Sequence, residues 1–303
     1  MSRRPDGSTP PNLDRPSLTK HSLTKHHGLG NDFLVLLTDL WGDTLPLDAA
    51  DAVRLCDRRR GIGADGLIVG RRGVGPDPDA VIGLERPFGP TVTMTLFNAD
   101  GSRAEMSGNG VRCLAHAEAR HRQVDELDLA VVTDGGLRWC EVRPGPEPFT
   151  CTASVAMGLP GDGPTAGPAD PDAGLTPVTK QLAVDLGNPH LVLLVDAPAL
   201  VDLGREGPAH ERRYPAGINV EFIAPTAGAT DELDLRVWER GAGITEACGT
   251  GAAAAAHAAH EWGLVGRRVT VHMPGGDAEI LVGGDEGIKL VGPATFVARI
   301  ELP

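Results

Sequence analysis

A chain of 303 residues with a net charge of −13 and no run of basic residues does not resemble a nucleic-acid-binding protein. No apolar stretch reaches the roughly 20 residues that a transmembrane helix needs, so we expect no membrane span. The five cysteines form no CxxC pair, which disfavours a metal site such as zinc and favours a reduced, cytoplasmic setting. The length favours two domains.

Short strand-like runs recur along the chain, and several alternate polar and apolar residues as half-buried antiparallel strands do. In the first half they cover residues 33–37, 66–70, 91–97 and 127–133. In the second half they cover residues 180–186, 190–195, 219–223, 232–238, 268–273, 278–282 and 294–300. Helices are predicted over residues 49–57, 111–122 and 252–262, and the last of these is apolar all round, which indicates burial.

Two segments, one in each half, resemble each other. Ser107 and Cys248 each precede a Gly-x-Gly turn and an apolar, helix-like run, and a histidine follows each of them after nine residues. The matching offsets favour a duplicated fold over two unrelated glycine-rich helix starts. Two helix N-termini that face each other would suit the binding of an anion and the transfer of a proton on either side of it.

Cys248 is predicted at a helix start, where the helix dipole and nearby N–H groups lower the pKa of a thiol towards neutrality. A thiol with such a pKa exchanges protons near pH 7, as a general acid or base must. The alternative is a small buried cysteine packed beside alanines. Gly249 and Gly251 favour the catalytic interpretation, because glycines let a ligand approach the backbone closely.

Polar residues in turn-like contexts form a second set of candidates. Glu239 and Arg240 precede Cys248 by a short loop and could hold an ammonium and a carboxylate, although these residues alone favour a solvated strand end. Four amides could together bind a zwitterionic ligand, although each could be only a turn residue: Asn31, Asn98, Asn188 and Asn219. No motif indicates a bound organic cofactor, since neither a dinucleotide fingerprint nor a phosphate loop occurs.

These motifs together resemble the diaminopimelate epimerase family, from about Lys25 to the end and in the family's order. The matching segments begin at His27 (HGLGNDF), Gly61 (GIGADG), Phe97 (FNADGS), Met106 (MSGNGVRC), Gly187 (GNPH) and Trp238 (WERGAGITEACGTG). The resemblance implies an α/β fold of α+β type, with two pseudo-symmetric domains that each wrap a mixed sheet around a buried central helix.

The resemblance also implies an activity: the interconversion of LL- and meso-2,6-diaminopimelate without pyridoxal phosphate, metal or other cofactor. One thiolate removes the α-proton, and a thiol on the opposite face returns one. Cys248 and Ser107 match the two catalytic positions. The substrate-binding positions are matched by Asn31, Asn98, Gly108, Asn109, Asn188, Asn219, Glu239, Arg240, Gly249 and Thr250. A homodimer that binds a small amino acid is usual in the family.

Ser107 departs from the family pattern, which has cysteine there. A hydroxyl is far less acidic than a thiol, so proton transfer on that face should fail or slow strongly. Three explanations are open: an engineered replacement, a natural serine assisted by water or another residue, or a related one-base activity such as a dehydratase or lyase. A racemase of another amino acid and a non-catalytic binding homologue are further alternatives. Gly66, where many members carry glutamine, is a smaller departure.

The predicted organisation follows from the repeat and the resemblance. Residues 1–24 form an N-terminal extension that is expected to be disordered. Residues 25–155 form the first epimerase domain and residues 156–290 the second. Residues 291–303 return as a strand to the first domain. The glycine- and proline-rich residues 158–174 are expected to be an exposed loop near the domain boundary.

Overall fold

The computed structural model describes residues 22–39, 46–73, 89–168, 174–283 and 287–302. Most of the predicted N-terminal extension, residues 1–21, lies outside this part of the chain, and residues 22–24 begin the first strand. Within the predicted loop at 158–174, residues 169–173 lie outside the described part, and a two-residue strand occupies 161–162.

Apart from β9, which has no counterpart in the first half, the elements of the two halves follow the same order. The first half contains β1 Ser22–Gly28, β2 Asn31–Thr38, α1 Ala49–Cys56, β3 Gly66–Arg72, β4 Thr91–Asn98, β5 Arg103–Ala104, α2 Gly108–Arg122, β6 Leu127–Thr133, β7 Gly136–Pro144 and β8 Thr150–Gly158. The second half contains β9 Gly161–Asp162, β10 Lys180–Asp185, β11 Pro189–Leu194, α3 Leu203–Glu211, β12 Asn219–Pro225, β13 Glu232–Glu239, β14 Gly243–Ile244, α4 Gly249–Glu261, β15 Arg268–Met273, β16 Gly276–Leu281 and β17 Ile288–Glu301.

The strands of the first half close into a barrel. Its order is β1, β2, β3, β4, β6, β7, β8 and β17, which pairs again with β1. The neighbours are antiparallel except β2–β3 and β4–β6, which are parallel and are joined by crossovers through α1 and α2. Helix α2 contacts most of these strands and fills the barrel.

The second half repeats this arrangement around α4. Strands β10, β11, β12, β13, β15, β16 and β17 follow one another, and the continuous β8–β9 segment closes the circle on β10. Two neighbouring pairs of this barrel are parallel, β11–β12 and β13–β15. They correspond to the parallel pairs β2–β3 and β4–β6 of the first barrel. The predicted fold class, two pseudo-symmetric halves that each wrap a mixed sheet around a central helix, is therefore confirmed.

Two long strands belong to both barrels. In β17, residues 289–291 pair with β16 of the second barrel, and residues 295–301 pair with β1 of the first. In β8, residues 151–155 pair with β7, and the chain then continues into β9, which pairs with β10. The two barrels are thus interlocked, and the ends of α2 and α4 that carry the predicted site lie between them.

The central helices are buried for different reasons. Helix α4 presents Ala252–Ala256 with no exposed surface, so small side chains let the surrounding strands approach closely. Helix α2 is less apolar, and its Arg112 is buried completely. The Arg112 guanidinium donates to the Pro293 carbonyl at 3.0 Å and to the Asn109 side chain, so the buried cation ties α2 to β17.

Some elements were not predicted from the sequence. Helix α3 contains Gly204, Gly207 and Pro208, which are helix breakers, and its formation depends on packing against β12, β13 and β14. Strands β7 and β8 were missed although their buried and part-buried residues alternate regularly, which is the signal expected of a strand.

Replacing Gly292 with alanine is expected to lower the free energy of unfolding by roughly 1–3 kcal/mol. A Cβ at this position would lie 1.9 Å from Arg112 Nη1, so the buried guanidinium or β17 must move. Urea unfolding measures the change. Gly161→Ala is the matched control, because a Cβ there meets only Asp185 atoms at 3.7 Å and 3.8 Å. Equal stability of the two variants would contradict the assigned packing of Arg112.

Candidate active site

Ser107 and Cys248 occupy equivalent positions at the starts of the two central helices. Each is the N-cap of its helix, with extended backbone at φ −143°, ψ 121° for Ser107 and φ −126°, ψ 110° for Cys248. Ser107 Oγ accepts the Gly110 N–H at 3.1 Å, and Cys248 Sγ accepts the Gly251 N–H at 3.4 Å. In each half, the N-cap side chain therefore accepts a hydrogen bond from a backbone N–H that has no partner within its helix.

The two helix N-termini meet. A Cβ on Gly108 would lie 3.5 Å from the Gly249 backbone, and a Cβ on Gly249 would lie 3.4 Å from the Asn109 nitrogen. Both added atoms would also lie 2.7 Å from Leu290 Cδ2, so a side chain at either position would require this buried leucine to move. The positive ends of two helix dipoles and their unpaired N–H groups converge on one place, which suits a carboxylate.

A cavity of about 600 Å³ opens beside this junction. It is lined by seven of the predicted site residues: Asn31, Asn98, Ser107, Asn188, Asn219, Glu239 and Arg240. The other five predicted residues, Gly108, Asn109, Cys248, Gly249 and Thr250, are buried and do not line this cavity. The lining combines amides, four carboxylates and two guanidinium groups with the apolar side chains Phe33, Leu96, Met106 and Ile244, which suits a polar, zwitterionic ligand.

Asn31 and Asn109 connect the halves behind the cavity. Asn31 Nδ2 donates to Asp65 Oδ2 at 2.9 Å, and Asn109 Nδ2 donates to Asn31 Oδ1 and to the Ala247 carbonyl, each at 3.1 Å. Ala247 directly precedes Cys248, so this amide ties the first half to the loop that positions the thiol. The Asn109 side chain is occupied by protein partners, which leaves its backbone for the anion.

The side chains of Asn98 and Asn219 form hydrogen bonds that stabilise the turns around the cavity. Asn98 Nδ2 donates to Ser102 Oγ at 2.9 Å. Asn219 Nδ2 donates to the Pro189 carbonyl, and Asn219 Oδ1 accepts the Arg240 N–H, both at 2.9 Å. Asn219 therefore fixes the backbone that presents the Arg240 side chain to the cavity.

Arg240 forms an ion pair that was not predicted from the sequence. Its Nη2 lies 2.8 Å from Glu105 Oε2, across the cleft between the two halves. Both groups line the cavity and are part-exposed, so this ion pair alone contributes little to holding the two halves together. A substrate carboxylate would compete with Glu105 for the guanidinium, because both prefer its planar donor face.

The sequence-based expectation of a lowered Cys248 pKa is wrong in this structure. The side chain is only 4% exposed, and burial raises the pKa of the thiol, as do the carboxylates of Glu239 and Glu221. The Thr250 hydroxyl and the Gly251 N–H oppose this effect without overcoming it. Burial likewise raises the pKa of Glu239, although Thr245 and Cys248 donate hydrogen bonds to its carboxylate. The thiol therefore carries its proton and points towards a carboxylate that can accept it.

Two residues near Cys248 were not among the predicted site residues. His190 was quoted only within a motif, and Glu221 only within the strand-like run 219–223. Both are fully buried, and His190 Nδ1 lies 2.7 Å from Glu221 Oε1. A charged residue inside an otherwise apolar strand was the available signal for Glu221, since such residues are seldom buried without a partner. Among the described residues, no group of three or more His, Cys, Asp and Glu side chains is arranged to hold a metal ion, and no helix could cross a membrane.

Solved structures show the same fold at low sequence identity. A predicted epimerase from Pseudomonas aeruginosa is 18% identical, with a TM-score of 0.65 over 93% of this chain and 99% of its own. A probable proline racemase from Agrobacterium radiobacter is 15% identical, with a TM-score of 0.64 over 94% and 93%. The interlocked double barrel is thus a fold that epimerases and racemases share.

The sequence comparisons are more specific. The family model for diaminopimelate epimerase matches residues 23–158 and 182–297. A diaminopimelate epimerase from Synechococcus elongatus is 38% identical over 89% of this chain and 94% of its own, and one from Corynebacterium glutamicum is 36% identical over 91% and 96%. The chain belongs to the diaminopimelate epimerase family, as the sequence motifs predicted, and this membership places it among isomerases.

Alkylation of Cys248 by iodoacetamide should accelerate about tenfold per pH unit from pH 7 to pH 9, without a plateau. The reason is that burial and two carboxylates keep the thiol protonated, so each pH unit increases the thiolate fraction tenfold. Peptide mass spectrometry measures the modification. Cys113 is the internal control, because burial raises its pKa to about 12 and the first barrel encloses it. A plateau of the alkylation rate below pH 8 would show that the helix dipole lowers the thiol pKa by more than burial and the carboxylates raise it.

Proposed function

We propose that this chain is a cofactor-independent amino-acid epimerase that interconverts LL- and meso-2,6-diaminopimelate, a step that supplies lysine and peptidoglycan precursors. The observation that carries the proposal is the pair of equivalent N-caps, Ser107 and Cys248, beside one cavity at the junction of two helix N-termini. Family membership supports the substrate, because the curated relatives are diaminopimelate epimerases by name.

The proposed reaction begins with the transfer of the Cys248 proton to Glu239, which accepts a hydrogen bond from the thiol. The thiolate then removes the substrate α-proton: the C–H bond breaks, an S–H bond forms, and the electron pair remains on the substrate. The converging N–H groups of α2 and α4 hold the α-carboxylate into which this charge spreads. Closure around the substrate strengthens these interactions by excluding water.

Return of a proton to the opposite face falls to the side that carries Ser107. Proton donation from the hydroxyl would leave an alkoxide, which costs far more than formation of a thiolate because a hydroxyl is much less acidic. We therefore expect removal of the proton by Cys248 to be faster than inversion. The Cys248 face alone would then exchange the α-proton with retention of configuration.

Incubation with LL-diaminopimelate in D₂O tests the proposal. Mass spectrometry follows deuterium incorporation, and chiral chromatography follows the meso isomer. The expected result is deuterium in the substrate before the meso product accumulates, with both eventually present. Deuterated LL-substrate without any meso product would instead favour a one-base activity. The residue that supports this alternative is Ser107, which stands where the family has a second cysteine. No exchange with either isomer would reject the substrate assignment.

Two further features stay predictions, the first from the family resemblance and the second from the five cysteines, which form no CxxC pair. We propose a homodimer, which light scattering of the purified protein tests, and a cytoplasmic location, which cell fractionation tests. A monomer at micromolar concentration would contradict the first proposal, and recovery of the chain outside the cytoplasmic fraction would contradict the second.

A further inference from the structure

Arg112 is a fully buried cation in the second turn of α2. Its side chain has no exposed surface, and its guanidinium donates to the Pro293 carbonyl at 3.0 Å and to Asn109 Oδ1. Its Nε has no hydrogen-bond partner among the described residues. Burial lowers the pKa of this group, but a guanidinium keeps its proton at neutral pH. The first barrel therefore encloses a full positive charge.

No carboxylate neutralises this charge within the described part of the chain. The guanidinium takes part in none of the ion pairs there, and the ionisable groups whose charges act on it are the thiols of Cys113, Cys140 and Cys151. Burial raises the pKa of Cys113 to about 12 and that of Cys151 to about 11, and it also raises that of Cys140. All three thiols are therefore neutral at pH 7. An unpaired buried charge is costly, and a ligand that brings a negative charge would offset this cost.

The second central helix carries no such charge. Gly108, the first residue of α2, corresponds to Gly249, the first residue of α4. Arg112 then corresponds to Ala253, which is just as buried. Packing of a central helix inside its barrel therefore does not require a cation at this position, so the charge of Arg112 calls for another explanation.

Asn109 links the cation to the place where the two helix N-termini meet. Asn109 Oδ1, which accepts from Arg112, would lie 3.1 Å from a Cβ on Gly249. One amide group thus separates the guanidinium from the start of α4. At an effective dielectric constant of about 20, a unit charge about 10 Å from an anion changes the affinity for that anion roughly tenfold.

The hydrogen bonds of Asn109 carry the polarisation in the same direction. An amide that accepts a hydrogen bond from a cation becomes a stronger donor. Asn109 Nδ2 donates to the Ala247 carbonyl at 3.1 Å, and the peptide group of that carbonyl leads directly into Cys248. Both the field of the guanidinium and this series of hydrogen bonds therefore increase the positive potential at the N-terminus of α4.

We propose that Arg112 is a positioning residue that acts through Asn109, and that its charge draws a ligand carboxylate to the junction of α2 and α4. The bound carboxylate is then the counter-ion that the first barrel lacks. This inference rests on the proposed function, because it is the α-carboxylate of the substrate that we place at this junction. The same field stabilises the negative charge that spreads into the carboxylate when the α-proton leaves.

Alkylation of Cys248 by two reagents of different charge tests the proposal. Iodoacetate and iodoacetamide both react with the thiolate by displacement of iodide, but only iodoacetate carries a carboxylate next to its reacting carbon. The ratio of the two rates at pH 8 measures the attraction of a carboxylate, because a change in the thiolate fraction affects both rates equally. Arg112→Met removes the charge and should lower the iodoacetate-to-iodoacetamide ratio about tenfold, as followed by peptide mass spectrometry.

Arg120→Met is the matched control. It removes the same charge from the same helix, more than two turns further from the N-terminus, where the exposed Arg120 stacks on Phe296. Its ratio of rates should stay within twofold of wild type. An equal fall of the ratio in Arg120→Met and Arg112→Met would overturn the proposal, because the net charge of the chain would then explain the effect.

A second variant supplies the missing negative charge and leaves Arg112 in place. Cys151→Asp puts a carboxylate within the electrostatic range of the guanidinium, so the ratio should fall about as far as in Arg112→Met. The hydrogen bonds of Arg112 are retained, so this variant tests the charge even where Arg112→Met does not fold. An unchanged ratio in either folded variant would overturn the proposal. Neither reagent is an amino acid, so the outcome is independent of whether diaminopimelate is the substrate.

Discussion

Replacement of Ser107 by cysteine is expected to raise the rate at which this chain forms meso-diaminopimelate from the LL isomer by roughly 10²–10⁴-fold. The new thiol would take the place of Oγ against the Gly110 N–H, as Cys248 Sγ does against the Gly251 N–H. The face that now carries only a hydroxyl would then have a group that can lose and regain a proton. Chiral chromatography of the products measures the change.

Ser107→Ala is the matched variant for this experiment. It removes the hydroxyl without adding a thiol, so α-deuterium exchange by Cys248 should persist while inversion does not accelerate. If Ser107→Cys leaves the inversion rate within threefold of wild type, the account in which the serine limits the reaction is wrong. Another group would then serve that face.

Replacement of Cys248 by alanine is expected to reduce α-proton exchange by about 10³-fold or more, because the face opposite Ser107 then loses its base. Glu239 and Glu221 would stay in place, but neither is positioned by the α4 N-terminus as the thiol is. Deuterium incorporation into LL-diaminopimelate measures the loss, and circular dichroism checks that the fold is retained.

The comparison variant is Cys113→Ala, which removes another buried thiol six residues beyond Ser107. Because the first barrel encloses Cys113, its loss should leave the exchange rate unchanged in folded protein. Exchange that survives in Cys248→Ala, or that disappears in Cys113→Ala, would assign the proton transfer to a different residue.

The twin N-caps and the two central helices could be predicted because their signals are local. Ser107 and Cys248 each stand directly before a Gly-x-Gly turn and an apolar run, and local geometry decides what such a segment becomes. The wrapped-helix fold followed from the family resemblance that these motifs carry, not from the strand patterns themselves, and the order of the strands in the sheet was not predicted.

The features that were missed depend on contacts between distant segments. The bond between His190 and Glu221 requires the parallel register of β11 and β12, and the Arg240–Glu105 pair joins residues of different halves. The pKa of Cys248 could not be inferred from its helix position, because burial, followed by the carboxylates on β12 and β13, raises it. Local propensity says nothing about either register or the sum of buried charges.

The sharing of β8 and β17 has an evolutionary and practical consequence. Each half ends in a strand that runs on into the other barrel, which is the arrangement of a domain-swapped dimer joined into one polypeptide. A single ancestral copy would have completed its barrel only by exchanging that strand with a second copy. Neither half of the present gene therefore encodes a closed barrel, and a split version of the protein would reassemble only through the exchanged strands.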